Sequence, residues 1–299
     1  MNFVKRILQE EYPFIFALPA FMWQLFFLYL PLVSIVVFSF LEFSPLQGFL
    51  GFSFSYYVKI FKLVYLKVIL NSFFLALFTS IICLVISYPV AYFLALKVKR
   101  FKTLFLFGLV LPSWTNLIVQ IYAWFFLLER RSIISKLLCY IGIFSEPRHM
   151  INSYFSTMIG MVYCFLPFMI LPIYTVLEKM NRSLLEASSD LGASRFVTFR
   201  KVILPISLPG IYTGLLLVFV PAFGEFVIPS LLGGAKKAYW GTVIVDKFLI
   251  SGEWRSGFAI ATVGVLFLGL FIGLLFSVFK IVKVLKTKRF KLKIQASKK

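Results

Sequence analysis

Six stretches of the chain stay apolar for about 20 residues or more, the length an α-helix needs to cross the hydrocarbon core of a bilayer. They run over residues 13–40, 70–96, 103–128, 154–177, 206–232 and 257–282. Polar and charged residues fall in short clusters between them. The pattern predicts an all-α, polytopic membrane protein with six transmembrane helices, organised as one domain over residues 1–299. The first run is too long for a signal-peptide core and no small-residue cleavage site follows it, so it reads as a helix. Between the third and fourth runs, Ile133, Ile134, Leu137, Leu138 and Ile141 recur at helical spacing, which predicts a short helix lying on the membrane surface.

Composition agrees with this pattern. Apolar residues make up 61% of the chain and the mean hydropathy is +0.96, against about 45–50% apolar in soluble domains. The net charge of +20 does not indicate nucleic acid. The basic residues sit in short segments between apolar runs rather than on one soluble face. With both termini cytoplasmic, the inner segments hold twenty of the 31 Lys and Arg and the outer ones eleven, and this bias fixes the orientation. The short turn from Lys97 to Lys102 and the acid-free tail from Lys280 carry most of it; the tail reads as an anchor against anionic lipid headgroups. The three cysteines are scattered and His149 is the sole histidine, so neither a disulfide framework nor a metal site is expected.

The segment 178–205 is the most informative loop. Ser183 with Glu186 three residues on has the spacing of a capping box. Leu184, Leu185, Ala187 and Leu191 supply an apolar strip, with Asp190 and Arg195 on other faces. Gly192 allows a change of direction and Pro205 an entry into the next helix. These residues predict a short amphipathic helix at the cytoplasmic surface. Glu186-Ala187-Ser188, then Gly192, then Val202-x-Leu204-Pro205 resembles the EAA loop of ABC importer permeases, with Ser188 in place of a second Ala and Val202 in place of Ile. The resemblance implies a type I importer fold in which this loop is a coupling helix seated in a groove of a cytoplasmic ATPase. Glu186, Ala187, Ser188, Asp190, Gly192, Leu204 and Pro205 are then the ATPase-coupling residues. No GxxxxGK[ST] occurs in the chain, so a P-loop is excluded. ATP and Mg²⁺ are expected on a separate ATPase, with no cofactor on this chain and no catalytic residue.

Glu225 is the one acidic residue inside a predicted span. An acid at helix centre costs about 2.5–3.5 kcal/mol on the insertion scale. A watery path, a basic partner or a position near the interface would each offset that cost. The third run contributes Trp114, Asn116, Gln120, Tyr122 and Trp124, whose aromatic rings can attract organic cations, although an interfacial belt uses the same residue types. The segments Pro112–Asn116, 184–194, 223–235 and Gly252–Trp254 resemble spermidine/putrescine permeases over most of the chain. Permeases for phosphonate, thiamine or ferric iron share parts of the pattern. The resemblance implies a bacterial inner-membrane importer subunit for a polyamine. Its expected partners are a second permease subunit, identical or different, a dimeric cytoplasmic ATPase and an extracytoplasmic binding protein. Glu225, Trp114, Asn116, Tyr122 and Trp124 are the candidates for the substrate path. The rival classes are an ion-gradient-driven transporter, which would usually bury more ionisable groups, and a membrane enzyme, for which no catalytic constellation is present.

Overall fold

The computed structural model describes residues 12–44, 48–60, 62–234 and 236–296. Lys5 and Arg6, and the side chains of the basic tail beyond Ser277, lie outside the described residues. The chain groups into two compact units, one formed by Met1–Lys62 with Ile244–Lys299 and the other by Leu63–Val243.

In the first unit, helix α1 (Tyr12–Gln24) runs through a π turn at Leu25–Tyr29 into α2 (Leu30–Phe40). Prolines 19 and 31 each remove a backbone donor, and the π turn immediately precedes the second. The segment Ala17–Phe40 is apolar all round, and no residue of its most apolar window is buried. A helix with that character needs lipid or another protein around it. Strands β1 (Leu41–Ser44) and β2 (Gly48–Phe52) form an antiparallel hairpin, followed by α3 (Ser55–Ile60). The hairpin is a small addition to the all-α expectation.

The second unit is built on three helices. Helix α4 (Leu63–Tyr92) ends in a π turn at Phe93–Lys97. The third apolar run then supplies two elements: α5 (Lys102–Val110) with a 3₁₀ turn at Leu111–Trp114, and α6 (Leu117–Leu128). Next come α7 (Ile133–Tyr140), α8 (Tyr154–Glu178), α9 (Ser183–Asp190) and α10 (Arg195–Thr198). A π turn at Phe199–Ile203 joins α10 to α11 (Leu204–Gly224), which is followed by α12 (Val227–Leu232). Helices α4, α8 and α11 pack pairwise around a core that includes Leu75, Cys83, Met161, Met169, Ile173, Val218 and Phe223, all essentially inaccessible. Gly210 lets α11 lie directly on α8, because a Cβ there would sit 2.7 Å from the Pro172 carbonyl oxygen. Close approach at small residues is how helices associate in lipid. A hydroxyl bridge between Tyr88 and Ser207, 3.0 Å, links α4 to α11.

Chain direction returns to the first unit through α13 (Trp240–Val245) and a π turn at Asp246–Ile250. Helix α14 (Trp254–Ala296) then packs along α2 and α3. Phe258 meets Phe38 at a tilt and Phe248 edge-to-face, with ring centroids 5.6 and 5.0 Å apart, while Ala259 and Ile260 are fully buried. Ion pairs Lys247–Glu253 (2.7 Å) and Arg255–Glu42 (3.8 Å) tie down the start of α14.

Among the described residues, five of the six expected spans are helices long and apolar enough to cross a membrane, and the remaining one is a bent pair. Two expectations need correction. The third run is not one helix over 103–128. It bends by 93° between Lys102–Trp114 and Leu117–Tyr140, because Pro112 withholds an N–H and Asn116 starts a new helix by accepting from Ile118 N–H at 2.8 Å. The fifth run is not one helix over 206–232. Its helix begins earlier, at Arg195, runs through Pro205 and stops at Gly224.

Candidate functional site

The loop 178–205 folds into the expected short helix, α9, with a different start. Asn181, rather than Ser183, supplies the side-chain acceptor, taking the Ser183 N–H at 3.1 Å. The Ser183–Glu186 capping box does not form, because an Asx turn on Asn181 already occupies the donor that begins the helix. The C-terminal end is closed by a Schellman motif. Gly192, at φ +69°, donates its N–H to Ser189 O (2.9 Å), and Ala193 donates to Ser188 O (3.0 Å). Ser188 is buried and its hydroxyl pairs with Thr198 Oγ1 at 2.8 Å, which locks α9 against α10. Ser194 then caps α10 through the Val197 N–H. Leu204 and Pro205 lie inside one continuous helix rather than at its entry; the π turn at Phe199–Ile203 precedes the proline and absorbs its missing donor.

Glu186, Ala187, Asp190 and Gly192 are all exposed. Beside them stand Leu184, Leu191 and Phe196, 45%, 87% and 69% exposed. Large apolar side chains left in the open, rimmed by acids, mark an interaction surface for protein or membrane.

The second site lies where two helices break. Helix α11 stops at Gly224, and Glu225 adopts extended backbone. Its Oε1 accepts from the N–H groups of Phe226, Val227 and Ile228 at 3.1, 2.8 and 3.3 Å, so the acid caps α12. Among the described residues its Oε2 makes no hydrogen bond. The other break is stitched by Gln120, whose Nε2 donates to Pro112 O, Thr115 O and Thr115 Oγ1 at 2.7–3.0 Å. Gln120 Oε1 accepts from Cys164 Sγ at 3.6 Å. Helix α12 packs on both α6 and α8, so the helix that Glu225 caps lies against the helix that Asn116 starts.

These elements distribute the candidate path residues unevenly. Trp124, one turn beyond Gln120 on α6, meets Tyr163 of α8 edge-to-face at 5.4 Å. That places it on the side of α6 that carries Gln120. Trp114 is 73% exposed and rests against Phe107 instead. Tyr122 is half-exposed, two positions from Gln120 and hence on another face. Asn116 is exposed and engaged as a cap. Sequence reasoning names Gln120 without a role and does not single out Cys164 or Tyr163. The missing signal is three acceptors gathered by one buried amide, and hydropathy does not carry it.

Comparison with known proteins agrees with this architecture. Residues 87–291 match the family described as binding-protein-dependent transport system inner membrane component. The spermidine/putrescine transport system permease protein PotB of Haemophilus influenzae is 39% identical over 258 residues, covering 86% of this chain and 90% of that protein. PotB of Escherichia coli is 36% identical over 249 residues, covering 83% and 90%. Among solved structures, a bacterial ABC transporter involved in the import of the acidic polysaccharide alginate superposes with a TM-score of 0.67 at 17% identity, over 89% of this chain and 95% of that one. The same fold recurs, with a TM-score of 0.66, in the alginate transporter in complex with an alginate-bound periplasmic protein. The chain therefore belongs to the inner membrane component family of binding-protein-dependent transport systems, as a multi-pass permease of an ABC importer.

Proposed function

We propose that this permease forms part of the translocation path for a polyamine, spermidine or putrescine, handed over by an extracytoplasmic binding protein. The observation that carries this reading is the 39% identity to a spermidine/putrescine permease across most of both chains. Its termini and the loop 178–205 face the cytoplasm. There α9 docks on a dimeric ATPase that binds ATP and Mg²⁺, through Glu186, Ala187, Asp190, Gly192 and the apolar knobs Leu184, Leu191 and Phe196. Ser188 keeps α9 fixed on α10, and Leu204 and Pro205 belong to the helix that carries the motion into the membrane. A second permease subunit completes the path. Hydrolysis takes place on the ATPase, so this chain is a transport subunit and not an enzyme.

Within the membrane, Glu225 and Trp124 are the residues best placed to meet an alkylammonium group. The Glu225 carboxylate is held in place by three N–H groups through one oxygen, which leaves the other to accept from an ammonium. Charge-assisted bonds of that kind contribute about 1.5–3 kcal/mol. Trp124, on the side of α6 that carries Gln120, offers the ring face that attracts a cation.

The test is uptake in proteoliposomes holding the full complex with its binding protein. Radiolabelled spermidine or putrescine should accumulate only with ATP inside. Glu225→Gln should lower that uptake by about tenfold with the complex still assembled. Stimulation of the ATPase by a phosphonate, thiamine or ferric ion, without any response to polyamines, would overturn the substrate assignment.

A further inference from the structure

The turn that joins α4 to α5 is tied to the end of α8 by one lysine side chain, Lys102. The π turn at Phe93–Lys97 ends with Val98 in extended backbone, whose N–H still reaches Phe93 O. The chain then reverses through Phe101, which sits in the left-handed region at φ +60°. A bulky aromatic in that region is disfavoured and persists only where its surroundings over-determine the backbone. Lys102, the next residue, is what fixes it. Its Nζ donates to Ala95 O at 3.1 Å and to both oxygens of Glu178, at 2.9 and 2.6 Å. One ammonium thus caps a carbonyl at the end of α4, opens α5 and grips the last residue of α8.

A carboxylate at a helix C-terminus opposes the macrodipole, and the Lys102 ammonium offsets that cost at Glu178. Glu178 also stands just before the segment that starts α9: Lys179, then Met180, which is buried, then Asn181, which caps α9. Any displacement of α9 that pulls on this segment acts first on Glu178.

We propose that the Lys102–Glu178 pair is a positioning link that carries movement of α9 to the ends of α4 and α5, and so to the helix break beyond α5. The proposal rests on reading α9 as the coupling helix. In this arrangement α9 acts on the membrane helices by two routes. One runs through α10 and the continuous helix to Gly224, the other sideways through the ion pair. Both routes end at a helix break, at Glu225 and at Pro112–Asn116.

The experiment compares Lys102→Met, Glu178→Gln, the double variant and the conservative Lys102→Arg in the complete complex in proteoliposomes, with Gly192→Val alongside. Complex yield, binding-protein-stimulated ATPase and substrate transported per ATP are measured. Each single variant should lower transport per ATP by about threefold with assembly intact. The double variant should lose no more than either single, because both act through one contact, and Lys102→Arg should retain coupling. Unchanged transport per ATP in the single variants, or a loss that merely follows complex yield, would overturn the link. If Gly192→Val uncouples and Lys102→Met does not, only the link fails. If neither uncouples, the coupling role of α9 fails and the link fails with it.

Discussion

Gly192 closes α9, and its cost of substitution can be worked from its surroundings. Its φ is +69°, where a Cβ would meet the chain's own carbonyl oxygen, and no heavy atom beyond its chain neighbours would lie within 4 Å of that Cβ. Steric clash with the rest of the fold therefore adds nothing, and the penalty is the backbone's own, about 1–2 kcal/mol for an L-residue. An eight-residue helix is marginal by itself, so this penalty draws population away from the closed turn. The apparent affinity of a partner for the closed form falls by the same fraction. Gly192→Ala should thus weaken ATPase docking by about fivefold. Gly192→Asn should weaken it less, since Asn tolerates left-handed backbone, and Gly192→Val more, since β-branching does not. Titration of purified ATPase onto permease-containing nanodiscs gives the affinities. Equal affinities for the Asn, Ala and Val variants would refute the claim that the Schellman turn sets the docking surface.

Two further outcomes follow from packing and charge. In Gly210→Ala the new Cβ would lie 2.7 Å from Pro172 O and 3.0 Å from Ile173 Cα, both backbone atoms that cannot step aside. The cost should be about 1–3 kcal/mol, seen as a lower unfolding midpoint of the detergent-solubilised complex, while Gly269→Ala, which meets nothing within 4 Å, should not lower the midpoint, since Ala is the better helix former. Lys247, by hydrogen bond and charge, and Ser256 hold the Glu253 carboxyl below its ordinary range. A depressed carboxyl pKa stabilises the fold fully above the ordinary carboxylate value and loses that contribution as pH falls through the depressed one. Protection factors of the amides in 246–254, corrected for the intrinsic exchange rate at each pH, should fall over that acid window, and Lys247→Met should remove most of the dependence.

The six apolar runs are legible in the sequence because length and hydropathy alone define a span. The helix breaks are not, and the prolines explain why. Pro89, Pro167, Pro172 and Pro209 all sit inside unbroken helices, so a proline does not by itself announce an interruption. What separates Pro112 and Pro221 is an acceptor side chain one turn later, Asn116 or Glu225, that caps a new helix. Glu225 stands out in the sequence as an acid out of place in a span, which identifies the residue but only part of its role. The start of α9 departs from expectation for a related reason. Ser183 and Glu186 have capping-box spacing, but Asn181 stands two residues earlier and competes for the same N–H.

Those caps also narrow where a path can run. Lipid offers no donor or acceptor, so backbone freed by a break must be satisfied by side chains or face protein or water. At the first break Asn116 takes an N–H and Gln120 takes carbonyls; at the second Glu225 takes three N–H groups. All of these groups belong to the junction of α6, α8 and α12, where Cys164 joins Gln120. The aromatic pair of Phe107 and Trp114 offers no acceptor side chain, only the Trp114 indole N–H, and is compatible with lipid or a partner helix. Polar groups gathered at membrane depth are costly unless they are used. On the proposed function, that cost is the physical reason to place the cargo at the junction rather than along the more conspicuous aromatic face.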